Sequence, residues 1–303
     1  MRFAVQVNDL IRSTKKADAR FSDNERPDRW ANEVEYIVVA ANSAKVVPAT
    51  SVSDSAMYAV PVDRVPPRGH WLVEALYRVL EIAITFIALL LSLPIMLIEG
   101  LLIRIGSSGP ALFRQPRTAQ SLIVKGRDLS HFPEVRVPEE RFDEEALYYV
   151  PRTFPFIKFR TMYNDARERF PELYDYSFKN EAFRESYTKR QGDPRVTRLG
   201  RILRRLTIDE LPNLWCVLIG EMRLVGPRPE LPETLPSYAP EEMYKFSVKP
   251  GITGLAQING RGLLSRGETV EWDLKYVRSR TVWLDIKIIF KTLWLVVMRH
   301  GAF

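Results

Sequence analysis

The longest uncharged apolar stretch of the chain runs from Ile82 to Ile98, seventeen residues. As a helix it covers about 25 Å, a little less than the roughly 30 Å hydrocarbon core of a bilayer. Glu74, Arg78 and Glu81 precede it at i, i+4 and i+7, a polar stripe suited to an interface. Pro94 has no N–H for the carbonyl of Leu90 and predicts a bend, with Ser92 able to satisfy a freed carbonyl. Arg64, Arg68 and Arg78 stand before the stretch and Arg104, Arg114 and Arg117 after it, so both ends read as cytoplasmic. A helix that enters, bends at Pro94 and leaves on the same side accounts for length, bend and charge together. A buried core helix and a plain spanning helix are the alternatives.

The rest of the pattern is shorter in range. Residues 1–70 mix short apolar runs with charges and end in the turn-rich Pro61 to Gly69, as an extension with little core of its own and then a linker would. Val135, Val137, Tyr148 and Val150 lie among charges and predict an elongated hairpin or loop. Lys158 and Arg160 alternate with Ile157 and Phe159, as on a half-buried strand with both cations on one side. A charged helix is expected over Asn164 to Asn180. Asp209 reads as the N-cap of an apolar helix from Leu211 to Ile219, with Pro212 in its first turn. Leu284 to Met298 is amphipathic, with Lys287 and Lys291 on one face. It fits a helix lying on anionic lipid with Trp283 and Trp294 near the headgroups, or equally a core helix.

Composition narrows the classes. A chain of 303 residues with 46% apolar content can bury one core of about 150 to 200 residues plus appendages. The net charge of +7 suits nucleic acid, anionic lipid or phosphorylated substrates without choosing among them. The lone Cys216, inside an apolar run, reads as a reduced core residue, and scattered His70, His131 and His300 argue against a histidine metal site or triad. The first residues, broken by Asn8 and Asp9, lack the pattern of a secretory signal.

The chemistry concentrates between Asp193 and Pro229. Arg198, Arg201 and Arg205 recur at i, i+3 and i+7, one cationic helix edge suited to phosphate or simply to solvent. Asp209 and Glu210 are adjacent, so on a helix they diverge by roughly 100° and need different tasks. Asp209 at a helix start would lie beside free N–H groups where a phosphoryl group is also held, or would merely cap. The Lys249 to Arg261 segment is glycine-rich enough to bring backbone close to a ligand.

Taken together, Asp193-Pro194-Arg195-Val196-Thr197, Gly200, Leu203-Arg204, Asp209-Glu210-Leu211-Pro212, Gly220-Glu221-Met222 and Gly226-Pro227-Arg228-Pro229 closely resemble the bacterial sugar transferase family, the monotopic polyprenol-phosphate phosphoglycosyl transferases. Gly109 to Gln115, Lys158 to Met162, Lys249 to Arg261 and Leu284 to Ile289 resemble further motifs of that family. Where the family has a glycine soon after the arginine and a short hairpin, this chain has Thr118, Ala119 and an insertion near 118–153. Its membrane helix breaks at a Ser-Pro step; here Leu93 separates Ser92 from Pro94.

The resemblance implies a mixed, helix-rich α/β fold: a small catalytic globule (106–303) on a re-entrant membrane helix (71–105), with amphipathic interfacial helices. It implies transfer of sugar 1-phosphate from a UDP-sugar to polyprenol phosphate at the cytoplasmic face of the inner membrane, without nucleic acid and with a homo-oligomer left open. Asp209 would form an aspartyl phosphosugar. Glu210 would help Asp209 hold Mg²⁺, and Arg228 would stabilise phosphoryl charge. Lys158, Arg160, Arg195, Arg204, Arg261 and Asp273 would bind substrate, and Ser92 and Pro94 would form the membrane break. The alternatives are a membrane-associated glycosyltransferase that moves the sugar without its phosphate and a basic membrane-anchored scaffold.

Overall fold

The computed structural model describes residues 57–58, 60–61, 71–132, 135–136, 142–174, 192–260 and 263–298. Most of the expected extension and linker, the second half of the helix expected from Asn164, and Arg261 lie outside the described residues. In chain order the elements are β1 (Met57–Tyr58), β2 (Val60–Pro61), α1 (Trp71–Gly106), β3 (Leu112–Thr118), β4 (Leu122–Lys125), β5 (Val135–Arg136), β6 (Leu147–Val150) and β7 (Thr153–Phe159). There follow α2 (Ala166–Arg169), α3 (Arg198–Leu206), α4 (Asn213–Leu218), β8 (Arg223–Val225), β9 (Gly251–Thr253), α5 (Leu255–Gly260), α6 (Arg266–Ser279) and α7 (Val282–Val297). Turns of 3₁₀ helix occupy Gly126–His131, Pro171–Leu173, Pro232–Ser237 and Pro240–Ser247. The architecture is mixed and helix-rich.

Helix α1 extends well beyond the uncharged stretch at both ends, and at 36 residues it is about 54 Å long. It stays helical on both sides of Pro94, so the proline causes no loss of helix. The Ser92 hydroxyl donates to the carbonyl of Leu89 at 3.1 Å, not to that of Leu90, which Pro94 cannot reach. Of its most apolar window only 17% is buried, which removes the reading as a core helix. Among the described residues it is the one helix long and apolar enough to cross a membrane.

One face of α1, carrying Tyr77, Glu81, Thr85, Ser92, Glu99 and Ile103, is buried against the globule. Charges tie its first half down. Glu81 accepts from Arg78 at 2.7 Å and from the N–H of Leu224 at 2.7 Å. Arg78 also donates to the carbonyl of Val217 at 2.5 Å, and Glu74 takes Arg223 and Arg280 at 3.0 Å each.

Strands β3 and β7 pair antiparallel over their full length, from Leu112 opposite Phe159 to Thr118 opposite Thr153. Between them β4 pairs antiparallel with β6, and β2 joins the other edge of β6. Of the residues expected in an elongated hairpin or loop, Tyr148 and Val150 lie in β6, Val135 lies in β5 and does not pair with them, and Val137 lies outside the described residues. Strand β1 pairs with β5, and β8 runs parallel to β9. The charged helix expected from Asn164 is short where it is described, with only α2 and a 3₁₀ turn ending at Leu173. Helix α7 buries one face in the core and leaves its other face exposed. Ile288 is fully buried in the main core beside Tyr276, Val277, Met243 and Tyr149, while Trp283, Phe290, Leu293 and Trp294 are exposed.

That core also encloses charge. The Lys245 ammonium is fully buried, 2.9 Å from Glu230 and 3.0 Å from Asp273. Burial disfavours ionisation of both acids. For Glu230 the attraction of Lys245 and Arg266 wins and holds the carboxyl at about 2. For Asp273 burial wins over Lys245 and the group is pushed up to about 6. A depressed carboxyl contributes stability above its ordinary value of 4.5 and loses it as pH falls toward 2. Removing one partner of a buried cluster costs about 3–5 kcal/mol because the others stay buried without compensation. Lys245→Met is therefore expected to destabilise by about that amount and to erase the loss of stability between pH 4.5 and pH 2, measured by denaturation in detergent micelles across pH.

Candidate active site

Helix α3 starts on Thr197, whose hydroxyl accepts the N–H of Gly200 at 2.9 Å, and ends on Thr207 in the left-handed region at φ 61°. It is the one non-glycine residue with positive φ among the described residues, a costly state for a β-branched side chain. The turn carries Asp209 back under β7, where the Asp209 carbonyl accepts the N–H of Phe159 at 2.9 Å.

Asp209 does not cap a helix that starts at Leu211. The N–H groups of Leu211, Asn213 and Leu214 bond three residues back, to Ile208, Glu210 and Leu211, and α4 begins only at Asn213. Pro212 has no N–H for the carbonyl of Ile208, so the α ladder cannot form until the chain has passed it. The Asn213 side chain then accepts the N–H of Ile157 at 2.9 Å and pins α4 to β7.

Cations from four elements converge on Asp209 and Glu210. Arg228, on the Gly226–Pro229 turn, donates to Glu210 at 2.7 Å. The Glu210 charge raises its already high proton affinity. That turn lies flat on the start of β9, where a Cβ at Gly226 would meet the Lys249 carbonyl at 2.5 Å. Arg204 of α3 donates to Thr161 at 2.9 Å; burial lowers its proton affinity while Asp209, Asp193 and Glu210 act against that. Lys158 of β7 lies 5.5 Å from the ring centroid of Phe113 and is brought down to about 8 by burial and by Arg117. Arg117 of β3, brought down to about 10 by burial and by Arg228, donates to the Pro229 carbonyl at 3.3 Å. Such a ring can hold a phosphoryl group against two carboxylates.

The other residues named from the sequence lie elsewhere. Arg160 follows the end of β7 and donates to the carbonyls of Ser107, Ser108 and Gly109, so it ties down the exit of α1. Lys158 and Arg160 therefore serve different neighbourhoods. Arg195 pairs with Asp193 at 2.7 Å and packs on the Tyr174 ring. Asp273 is fully enclosed with Lys245. Arg261 lies outside the described residues.

Two neighbours of the pair were not singled out from the sequence. Arg117 shares a face of β3 with Phe113, which stands opposite Lys158, so two-residue alternation was the signal available. Glu99 of α1 is buried within electrostatic reach of Asp209. Its signal was a lone acid near the end of an apolar helix.

Among the described residues no group of three or more potential ligand side chains forms a closed metal cage. Mg²⁺ is commonly bound by one or two carboxylates together with substrate phosphates. The adjacent pair facing a ring of cations fits that mode.

Comparison with known proteins gives the same direction. A family described as bacterial sugar transferase matches residues 142–299, just over half of the chain. A UDP-galactose-lipid carrier transferase of Erwinia amylovora is 41% identical over 152 residues, covering 50% of this chain and 32% of the relative. An undecaprenyl-phosphate glucose phosphotransferase of Komagataeibacter xylinus is 36% identical over 241 residues, covering 75% and 36%. The chain thus spans about a third of the length of these two curated relatives. A UDP-glucose:undecaprenyl-phosphate glucose-1-phosphate transferase of Caulobacter vibrioides is 34% identical over 236 residues, covering 75% of this chain and 71% of that protein. The Asp209–Glu210 pair, Arg204 and Arg228 lie inside the family match, and the chain belongs to the bacterial sugar transferase family.

Proposed function

We propose that the protein transfers a sugar 1-phosphate from a UDP-sugar to undecaprenyl phosphate, forming undecaprenyl-diphosphate sugar and UMP, as the first membrane step of exopolysaccharide or O-antigen assembly. The observation that carries this is the adjacent Asp209–Glu210 pair enclosed by Arg117, Lys158, Arg204 and Arg228. The activities named for the relatives support it.

An Asp209 carboxylate oxygen attacks the sugar-bearing phosphorus, and the bond to the bridging oxygen breaks to release UMP. An oxygen of undecaprenyl phosphate then attacks the same phosphorus, and Asp209 leaves as carboxylate. One hard transfer is thereby split into two easier ones. Arg228 holds Glu210 in place and, with Lys158, Arg117 and Arg204, counters charge on the phosphoryl oxygens. Asp209 and Glu210 are the residues that would hold Mg²⁺, which when bound screens the diphosphate charge that would repel a carboxylate nucleophile.

One substrate dissolves in water and the other in lipid, so the site belongs at their boundary. The exposed apolar faces of α1 and α7, the latter with Trp283 and Trp294, suit a monotopic seat at the cytoplasmic face of the inner membrane. A re-entrant course of α1 bent at Pro94 belongs to the same reading.

Asp209→Asn is expected to abolish formation of lipid-linked product, a loss of at least a thousandfold, and to remove the phosphosugar adduct seen by mass spectrometry of wild-type protein mixed with UDP-sugar alone. Full-speed turnover by this variant would sink the proposal. Lys158 is a cation only below about pH 8, so donor KM is expected to rise as pH passes upward through that value. Lys158→Arg keeps its charge throughout this range and is expected to flatten the dependence in steady-state assays from pH 6.5 to 9.5.

A further inference from the structure

Helix α1 buries two acidic side chains on the face toward the globule, Glu81 and Glu99. Glu81 has its partners in Arg78 and the N–H of Leu224. Glu99, only 2% exposed, has no hydrogen-bond partner for either carboxyl oxygen. Buried polar groups are paired in the great majority of cases, and leaving a carboxyl unpaired is costly.

Its surroundings point to the site. Asp209 is a charged group that bears on it. Gly100 approaches Phe159 of β7, whose N–H holds the Asp209 carbonyl, and Ile103, one turn beyond Glu99, packs with Phe159 and Leu203. The cations around Asp209 and Glu210 come from β3, β7, α3 and the Gly226–Pro229 turn, whereas α1 brings a carboxyl group. Phosphate oxygens belong with the cations, and Glu99 requires a donor. At the sugar-bearing phosphorus of a nucleoside diphosphate sugar the adjacent donors are the hydroxyls of the transferred sugar; those of the ribose lie one phosphate further away.

Resting on the phosphosugar-transfer reading above, we infer that Glu99 accepts a hydrogen bond from a hydroxyl of the transferred hexose and is a specificity-determining residue for the donor. A site that bonds a hydroxyl through a buried polar group rejects the analogue lacking it strongly, because the group is then left unpaired.

The test uses the full chain in nanodiscs, with UDP-glucose and UDP-galactose and their monodeoxy analogues as donors and undecaprenyl phosphate as acceptor. The wild type is expected to disfavour one deoxy analogue of its preferred donor by about tenfold to a hundredfold in kcat/KM. Glu99→Leu should abolish that discrimination and Glu99→Gln should weaken it, with KM for undecaprenyl phosphate unchanged in both. Glu99→Leu should also be at least as resistant to thermal unfolding as the wild type, since it removes an unpaired buried acid; a purely structural carboxyl would give the opposite. Unchanged discrimination in Glu99→Leu, or a change confined to the lipid acceptor, overturns the inference while leaving the transfer reading intact. No UMP release by the wild type from either UDP-hexose, with or without acceptor, would overturn the transfer reading and this inference with it.

Discussion

Two carboxylates next to each other in the chain repel a phosphate unless fixed cations surround them, and the contact between Glu210 and Arg228 is where that compensation begins. At 2.7 Å it joins the turn before α4 to the Gly226–Pro229 turn, segments that the fold brings together through α4 and β8. Arg117 and Lys158 close the ring from β3 and β7, and Arg204 closes it from α3. Three backbone devices shape the segments that carry the pair and Arg228: the left-handed Thr207, the Pro212 that delays α4, and the close approach at Gly226.

Behind this ring lies a second, buried layer of charge. Lys245 sits between Glu230 and Asp273, and Glu230 also faces Arg266. The N–H of Glu230 donates to the Thr118 hydroxyl, and its carbonyl accepts the Thr118 N–H at 2.9 Å, so the residue following the Arg228 turn is stitched to the end of β3 that carries Arg117. A buried polar cluster of this kind adds little net stability over an apolar one. Glu230, a member of it, links the Arg228 turn to the end of β3. The insertion between β3 and β7 adds a covering layer, with Tyr148, Tyr149 and Val150 fully enclosed.

Helix α1 turns an apolar face outward and packs its other face on the globule. Its exposed faces are apolar enough for lipid, and its buried face is held to the globule by Glu74, Arg78 and Glu81 near the start and by Ile103 near the end. On the proposed reading, this rigid attachment keeps the catalytic carboxylates at a constant depth relative to the bilayer.

The apolar helix, the strand around Tyr148 in the insertion and the division of α7 into buried and exposed faces were legible in the sequence, because periodicity records which side of an element is buried. So was the Asp209–Glu210 pair, because its two members are neighbours in the chain. What the pattern could not tell was which distant cations meet that pair. Arg160 alternates with Lys158 yet ties down the end of α1, and Arg195 is taken by Asp193. Asp273 is enclosed with Lys245, while Arg117 and Glu99 come into the site from elements far away in sequence. The start of α4 also escaped a local reading, since the 3₁₀ turns ahead of it come from one missing N–H at Pro212 together with the anchoring of Asn213 to β7. The sequence by itself determined the long apolar helix, the family's motifs and the adjacent carboxylate pair, all of which depend on short-range spacing. Only the tertiary structure decided which charges surround that pair, because electrostatic neighbours are set by strand register and helix packing between residues more than a hundred positions apart in some cases.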